Sequence, residues 1–216
     1  MQSYMPKRNA ITMHLSYHPE NNGIHIYSSF SAAIRDAREA TGRDSDTGLM
    51  VDPLRQGNWL GAIGYMILLD QIGECFKPRA AKAVTGNSFM RALSYFTDLN
   101  ASERRALYAL RCCFVHDFAL YNISRGDSQL NHHFEVHADS GAPLMHLPAV
   151  RWNGDRTART SDSKTRVNLS AVGNLVESIA EKLFTLANAD ELEVVLAGGS
   201  DELLDRYGIY RRPVLT

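Results

Sequence analysis

The sequence predicts a mainly α-helical chain with a small antiparallel β meander inserted in its C-terminal half. Three observations predict it. Apolar residues recur every three or four positions over most of residues 28–122, asparagine and serine cap signals precede those runs, and short apolar pieces with turn flanks fill 131–169. The 216 residues are 44% hydrophobic and 22% charged, which suits an ordinary soluble globular chain with one sizeable core. Its 23 lysines and arginines nearly cancel 24 acidic residues, for a formal net charge of −1, so a nucleic-acid partner would need a local basic patch.

Residues up to Gly23 mix polar and apolar positions, with a turn signal at Pro19–Gly23 and a short strand over Ile24–Tyr27. Nothing in the first residues has the apolar stretch and cleavage site of a signal peptide, and Cys75, Cys112 and Cys113 have no metal-type spacing. A cytoplasmic protein with reduced thiols is expected. Ser28 to Ala40, with Phe30, Ala33, Ile34 and Ala37, fits a capped amphipathic helix that stops before Gly42, and Arg43–Gly48 is a loop by composition.

The most apolar stretch, Trp59–Phe76, follows a start signal at Asp52-Pro53 and ends at Lys77-Pro78. Asp70, Gln71 and Glu74 interrupt it before the roughly 20 residues a membrane span needs, so it reads as a buried central helix with no membrane partner. Asn87–Phe96 is a shorter helix. Asn100 or Ser102 caps a longer one through Leu107, Leu110, Phe114 and Phe118 to Asn122, which Ser124–Asp127 breaks. His133–Val136, Leu144–Val150 and Arg166–Leu169 have the length of short strands, and Ser170 caps a helix through Leu175, Ile179, Leu183 and Leu186. Glu191–Leu196 is too short for periodicity to decide between strand and helix, and Gly198-Gly199 separates it from a last short helix, Ser200–Tyr207. No linker demands a second domain. Residues 1–216 read as a single domain: a bundle core (28–122), a meander (131–169) and C-terminal helices (170–216).

The Ser102–Asn122 helix, SERRALYALRCCFVHDFALYN, carries the chemistry. At about 100° per residue, Leu107, Leu110, Phe114, Phe118 and Tyr121 form its core seam. Arg111 and His116 point roughly 140° apart, so one helix alone is not expected to bring them onto one reacting group. They flank a strip of Tyr108, Cys112, Val115 and Ala119, whose small members admit another helix. A two-fold mate of the same helix would present both pairs to one cleft.

Arg111-Cys112-Cys113-Phe114-Val115-His116, late in a mostly helical chain, resembles the Arg-x(4–6)-His signature of the HEPN superfamily. The resemblance covers Ser28 to Asn122 and implies a bundle of four or five helices, homodimerisation through the motif helices and, in active members, metal-independent RNA cleavage. It implies no cofactor. Active members often carry a polar residue directly after the arginine, where this chain has Cys112, so the resemblance also admits a non-catalytic module that binds RNA or protein. It further suggests stress or defence settings, where an antitoxin or other protein would be a partner.

Under that reading, a histidine with its ordinary pKa of about 6.5 would take the proton from a ribose 2′-OH or return one to the 5′-oxygen leaving group. That is the part assigned to His116, while Arg111 would hold the scissile phosphate. The products would be a 2′,3′-cyclic phosphate and a 5′-hydroxyl. Arg104 and Asn122, on the azimuth of Arg111, would extend a phosphate track, and Tyr108 would stack on a base or sit in the dimer interface. Arg151, Arg156, Arg159, Lys164 and Arg166, with Trp152 among them, form the densest basic stretch and would make a flexible RNA-contacting loop. Arg206–Arg212 is a weaker case. Solvated side chains are the plainer account of all these cations.

Two metal readings compete with this one. His116-Asp117 is the dipeptide of metal-dependent phosphohydrolases, and strand alternation puts His133, Glu135 and His137 on one face as a conceivable zinc site beside His132 and His146. Neither has the ordered ligand spacing of a metal centre, and exposed strand histidines account for the second.

Overall fold

The computed structural model of the chain describes residues 7–16, 18–19 and 24–213. The turn expected at Pro19–Gly23 falls mostly outside them. A first helix, α1 (Lys7–Leu15), precedes the strands β1 (His18–Pro19) and β2 (Ile24–Ser28). Its apolar positions show little helical period. Burial of Ala10, Ile11 and His14 fixes it instead.

Helix α2 (Ser29–Ala40) starts at a reciprocal cap: the Ser28 hydroxyl accepts from the Ser31 N–H at 3.2 Å, and the Ser31 hydroxyl accepts from the Ser28 N–H at 3.0 Å. The central helix α3 (Trp59–Cys75) is capped by Asn58 and continues into β3 (Phe76–Pro78). It packs against α2, α4 (Ser88–Phe96) and the later helices α5 (Ala101–Asp117) and α6 (Leu169–Asn188). Tyr65, Met66, Leu68, Leu69 and Ile72 are fully buried there. At Gly73 a side chain would overlap the Ser88 carbonyl, so glycine is what lets α3 and α4 touch backbone to backbone.

The small sheet of the C-terminal half is built from β4 (Tyr121–Asn122), β5 (His132–His137), β6 (Met145–His146) and β7 (Lys164–Asn168), in the order β4-β5-β7-β6. The mainly helical class with a small sheet in that half is therefore what the chain adopts. Its flanking pairs are antiparallel, but the central pair β5/β7 is parallel, because the chain forms β6 on the far side before β7 inserts between them. Asn168 caps α6, two residues ahead of the expected Ser170. The open segment near 191–196 resolves as a strand, β8 (Leu192–Val194), paired with β3, and α7 (Gly199–Tyr207) leads to β9 (Ile209–Pro213) on the edge of β2. Among the described residues no helix is long and apolar enough to cross a membrane.

One boundary corrects the sequence expectation in a way that matters for the site. Helix α5 ends at Asp117, not Asn122. Phe118 takes a left-handed conformation (φ 51°), and the Ala119 N–H returns to the Cys113 carbonyl at 3.0 Å. No glycine marks this exit, so local signals could not show it. Leu107, Leu110 and Phe114 keep their places in the core seam, but Phe118 is 53% exposed and Tyr121 belongs to β4.

Candidate functional site

Helix α5 begins with a capping box. The Asn100 side chain accepts from the Ser102 and Glu103 N–H groups, and the Glu103 carboxylate accepts from the Asn100 N–H at 2.8 Å. Ala106, Leu107, Ala109, Leu110, Cys113 and Phe114 are buried, so the opposite strip of Tyr108, Cys112 and Val115 faces outward, half-buried. Arg111 and His116 stand on either side of that strip.

The structure brings them together within one chain, contrary to the wheel. The Arg111 Nη1 atom lies 3.3 Å from His116 Nε2, and Nε and Nη2 both contact Asp70 Oδ2 on α3 at 2.8 Å. Side chains are not radial vectors on a wheel, which is why the roughly 140° separation does not keep the two apart. The long arginine stem runs along the helix and crosses the outward strip to the last turn. A guanidinium has donors only, so Nε2 is the acceptor in this contact and its lone pair points at Arg111. His116 is exposed, and the Arg111 and Asp70 side chains keep 21% and 28% of their surface open.

Asp70 is the member that the sequence did not assign. Its one signal was a carboxylate inside the most apolar helix of the chain. That helix also has an outer strip that is exposed among the described residues. Leu60 and Ile67 are 66% and 47% exposed, and the exposed Phe118 stacks on the Trp59 ring at 6.1 Å, itself stacked on Phe114 at 4.8 Å. The apolar strip therefore runs from the end of α5 along α3 up to Asp70.

The other expected contacts divide. Arg104 donates to the Leu99 carbonyl at the entry of α5, and Asn122 lies beyond the helix end, donating to the Leu130 carbonyl at 2.8 Å, so no track on Arg111's azimuth forms. Tyr108 packs on Phe89 with ring centres 5.9 Å apart. Burial, with help from the neighbouring Cys112, raises its hydroxyl above the ordinary tyrosine value. In the basic stretch, Trp152 is 2% exposed, donates to the Asp155 carbonyl at 2.7 Å and stands edge-on to His133, so it anchors the loop rather than offering a ring to a base. Lys164 and Arg166 are held by Glu135 at 2.6 and 3.4 Å. Arg156 covers the Tyr121 ring at 5.2 Å and Arg159 donates to the Arg156 carbonyl, while Arg151 is exposed with no carboxylate partner among the described residues. The side chains of Arg211 and Arg212 lie outside the described set.

Two histidines of the small sheet, His132 and His133, are tied to the scaffold. His132 contacts Thr165 Oγ1 at 2.8 Å and the Gln129 carbonyl at 3.2 Å, and burial lowers its pKa to about 4. His133 contacts Ser163 Oγ at 2.8 Å and is also lowered, first by burial. Because Glu135 is committed to Lys164 and Arg166, the conceivable zinc face is not assembled. Among the described residues no three His, Cys, Asp or Glu side chains are placed to share a metal ion. At His116 the nearest group is a guanidinium, which opposes a divalent cation at that nitrogen.

Compared with known protein families, with curated proteins and with solved structures, the chain matches none.

Proposed function

We propose that this protein is a HEPN-like, metal-independent endoribonuclease that acts as a homodimer. The observation that carries the reading is the outward-facing Asp70–Arg111–His116 relay, a fixed cation in contact with a proton acceptor on an open surface. Asp70 orients the guanidinium. An incoming phosphodiester takes Nη1, which frees the Nε2 lone pair of His116 to accept the proton of the adjacent 2′-OH as that oxygen attacks phosphorus. The 5′-oxygen leaves with a proton from an imidazolium, either the same His116 or that of the second protomer. RNA with a 2′,3′-cyclic phosphate and a 5′-hydroxyl results, and DNA, lacking the nucleophile, is not cut.

The dimer part of the reading is supported by the exposed apolar strip of Leu60, Ile67 and Phe118 beside the relay, since contiguous apolar surface on a monomer marks an interaction site. A mate docked there along α5 would place two relays in one groove.

The test is incubation of the protein with single-stranded and structured RNA in excess EDTA, with end-group analysis and sedimentation equilibrium in parallel. Cyclic-phosphate ends, a dimeric mass and a loss of about 100-fold or more in Arg111→Ala and His116→Ala are expected. Cleavage that vanishes in EDTA, or that survives both substitutions, overturns the proposal. Salt-sensitive RNA binding without cleavage points instead to a non-catalytic binding module.

A further inference from the structure

Arg105 stands on the same edge of α5 as His116. Eleven residues separate them, which is about 16 Å along the helix axis and only about 20° around it. There the first turns of α5, the turn at 128–132 and the loop at 147–151 enclose a cleft of about 400 Å³. That volume is in the range of small-ligand sites, roughly 300–1,000 Å³.

Three properties of its lining point to one ligand chemistry. First, two cations face it without competition: Arg105 and Arg151 have no carboxylate partner among the described residues, and no acidic side chain lines the cleft. Elsewhere in the molecule Arg38, Arg79, Arg91, Arg111 and Arg206 are each ion-paired. Second, part of the lining is apolar, with Leu147 38% exposed and Pro148 next to it in the chain. Third, the remaining polar lining is hydrogen-bonded to the scaffold and neutral. Asn131 is buried and ties Ser124 to Asn153, while His132 is saturated by Thr165 and Gln129 and uncharged near neutral pH, as burial holds it at about 4. Gln129 is exposed and lines the same cleft. Two guanidinium groups lining one cleft suit a phosphate, apolar side chains suit the face of a base, and an amide suits a base edge.

We infer that this cleft is a nucleotide subsite for single-stranded RNA: Arg105 and Arg151 hold a backbone phosphate, and the neighbouring base lies on Leu147 and Pro148. The inference rests on the ribonuclease reading for its choice of ligand. It deepens that reading by setting where the strand is gripped, on the edge of α5 that leads to His116.

The experiment titrates the His116→Ala protein, in which the strand survives, with a short unstructured fluorescently labelled RNA at several salt concentrations. Arg105→Ala and Arg151→Ala are each expected to weaken binding about five- to tenfold and to reduce the salt slope by about one. Arg151→Lys is expected to restore the slope and part of the affinity, which a merely structural arginine would not do. Unchanged thermal midpoints exclude misfolding. If both alanine variants bind with the parent's affinity and slope, the subsite is wrong, even where the wild-type protein cleaves RNA in EDTA. If those losses are found but the wild-type protein cleaves nothing, the subsite stands and the nuclease proposal falls.

Discussion

Arg38 and Arg111 both reach a carboxylate on another helix, Glu177 and Asp70, yet their surroundings differ in almost every respect. Arg38 directs all three of its guanidinium nitrogens at the scaffold. Nε and Nη2 grip Glu177, Nη1 takes the carbonyls of Ser45 and Asp46, and the Tyr65 hydroxyl donates to the other side of Glu177 at 2.7 Å. Arg111 contacts one oxygen of Asp70 and an exposed imidazole, and its partner surface is open. Both are arginine–carboxylate pairs at hydrogen-bonding distance. What separates a structural pair from a candidate site is how many donors are committed and whether a ligand can reach the rest.

The sharpest way to break that comparison is Glu177→Ala. It leaves the Arg38 guanidinium and Tyr65 hydroxyl without their partner, and a loss of about 3 kcal/mol is expected in urea-induced unfolding. A loss below about 1 kcal/mol would put the pair in the class of surface ion pairs and erase the distinction.

The histidines offer the same contrast. His14 is 1% exposed among Phe30, Phe76 and Tyr207, and burial lowers its pKa to about 4; His132 is lowered to the same value by the same cause. The unfolded chain takes up these protons near pH 6.5 and the folded chain does not until about pH 4. Stability is therefore complete above pH 6.5 and declines as pH falls through that window, by up to about 3 kcal/mol per histidine. Unfolding free energies measured across this range should show the decline, and His14→Phe should remove its share. An unchanged slope in that variant would mean that His14 is protonated in the fold.

Asp70→Asn is the gentlest test. It keeps an acceptor for Arg111 but removes the charge, so cleavage is expected to fall about tenfold while stability changes by less than about 1 kcal/mol. A large stability loss with unaltered cleavage would make this pair a second Arg38–Glu177.

Much of this molecule was legible locally. Ser28, Asn87 and Asn100 announce their helices because a short polar side chain satisfies N–H groups only a few residues away. Arg111 and His116 were visible as a spacing. Asp70 was visible only as an interruption, since its meaning depends on a residue 41 positions later on a different helix. By composition Trp152 belongs to a flexible basic loop, and in the fold it is a buried plug because His133 and Asp155 receive it. The strand at Leu192–Val194 had no period to betray it and exists because β3 supplies its hydrogen bonds.

The amino-acid order by itself determined the helical class, most helix starts and the identity of the two motif side chains. All of these follow from interactions within a few residues. The tertiary structure decided the rest: which carboxylate holds Arg111, that α5 stops at Asp117, that β5 and β7 run parallel, and which cations face a cleft and which are neutralised. Those outcomes depend on side chains distant in sequence meeting in space, and neither helical period nor residue spacing encodes such meetings.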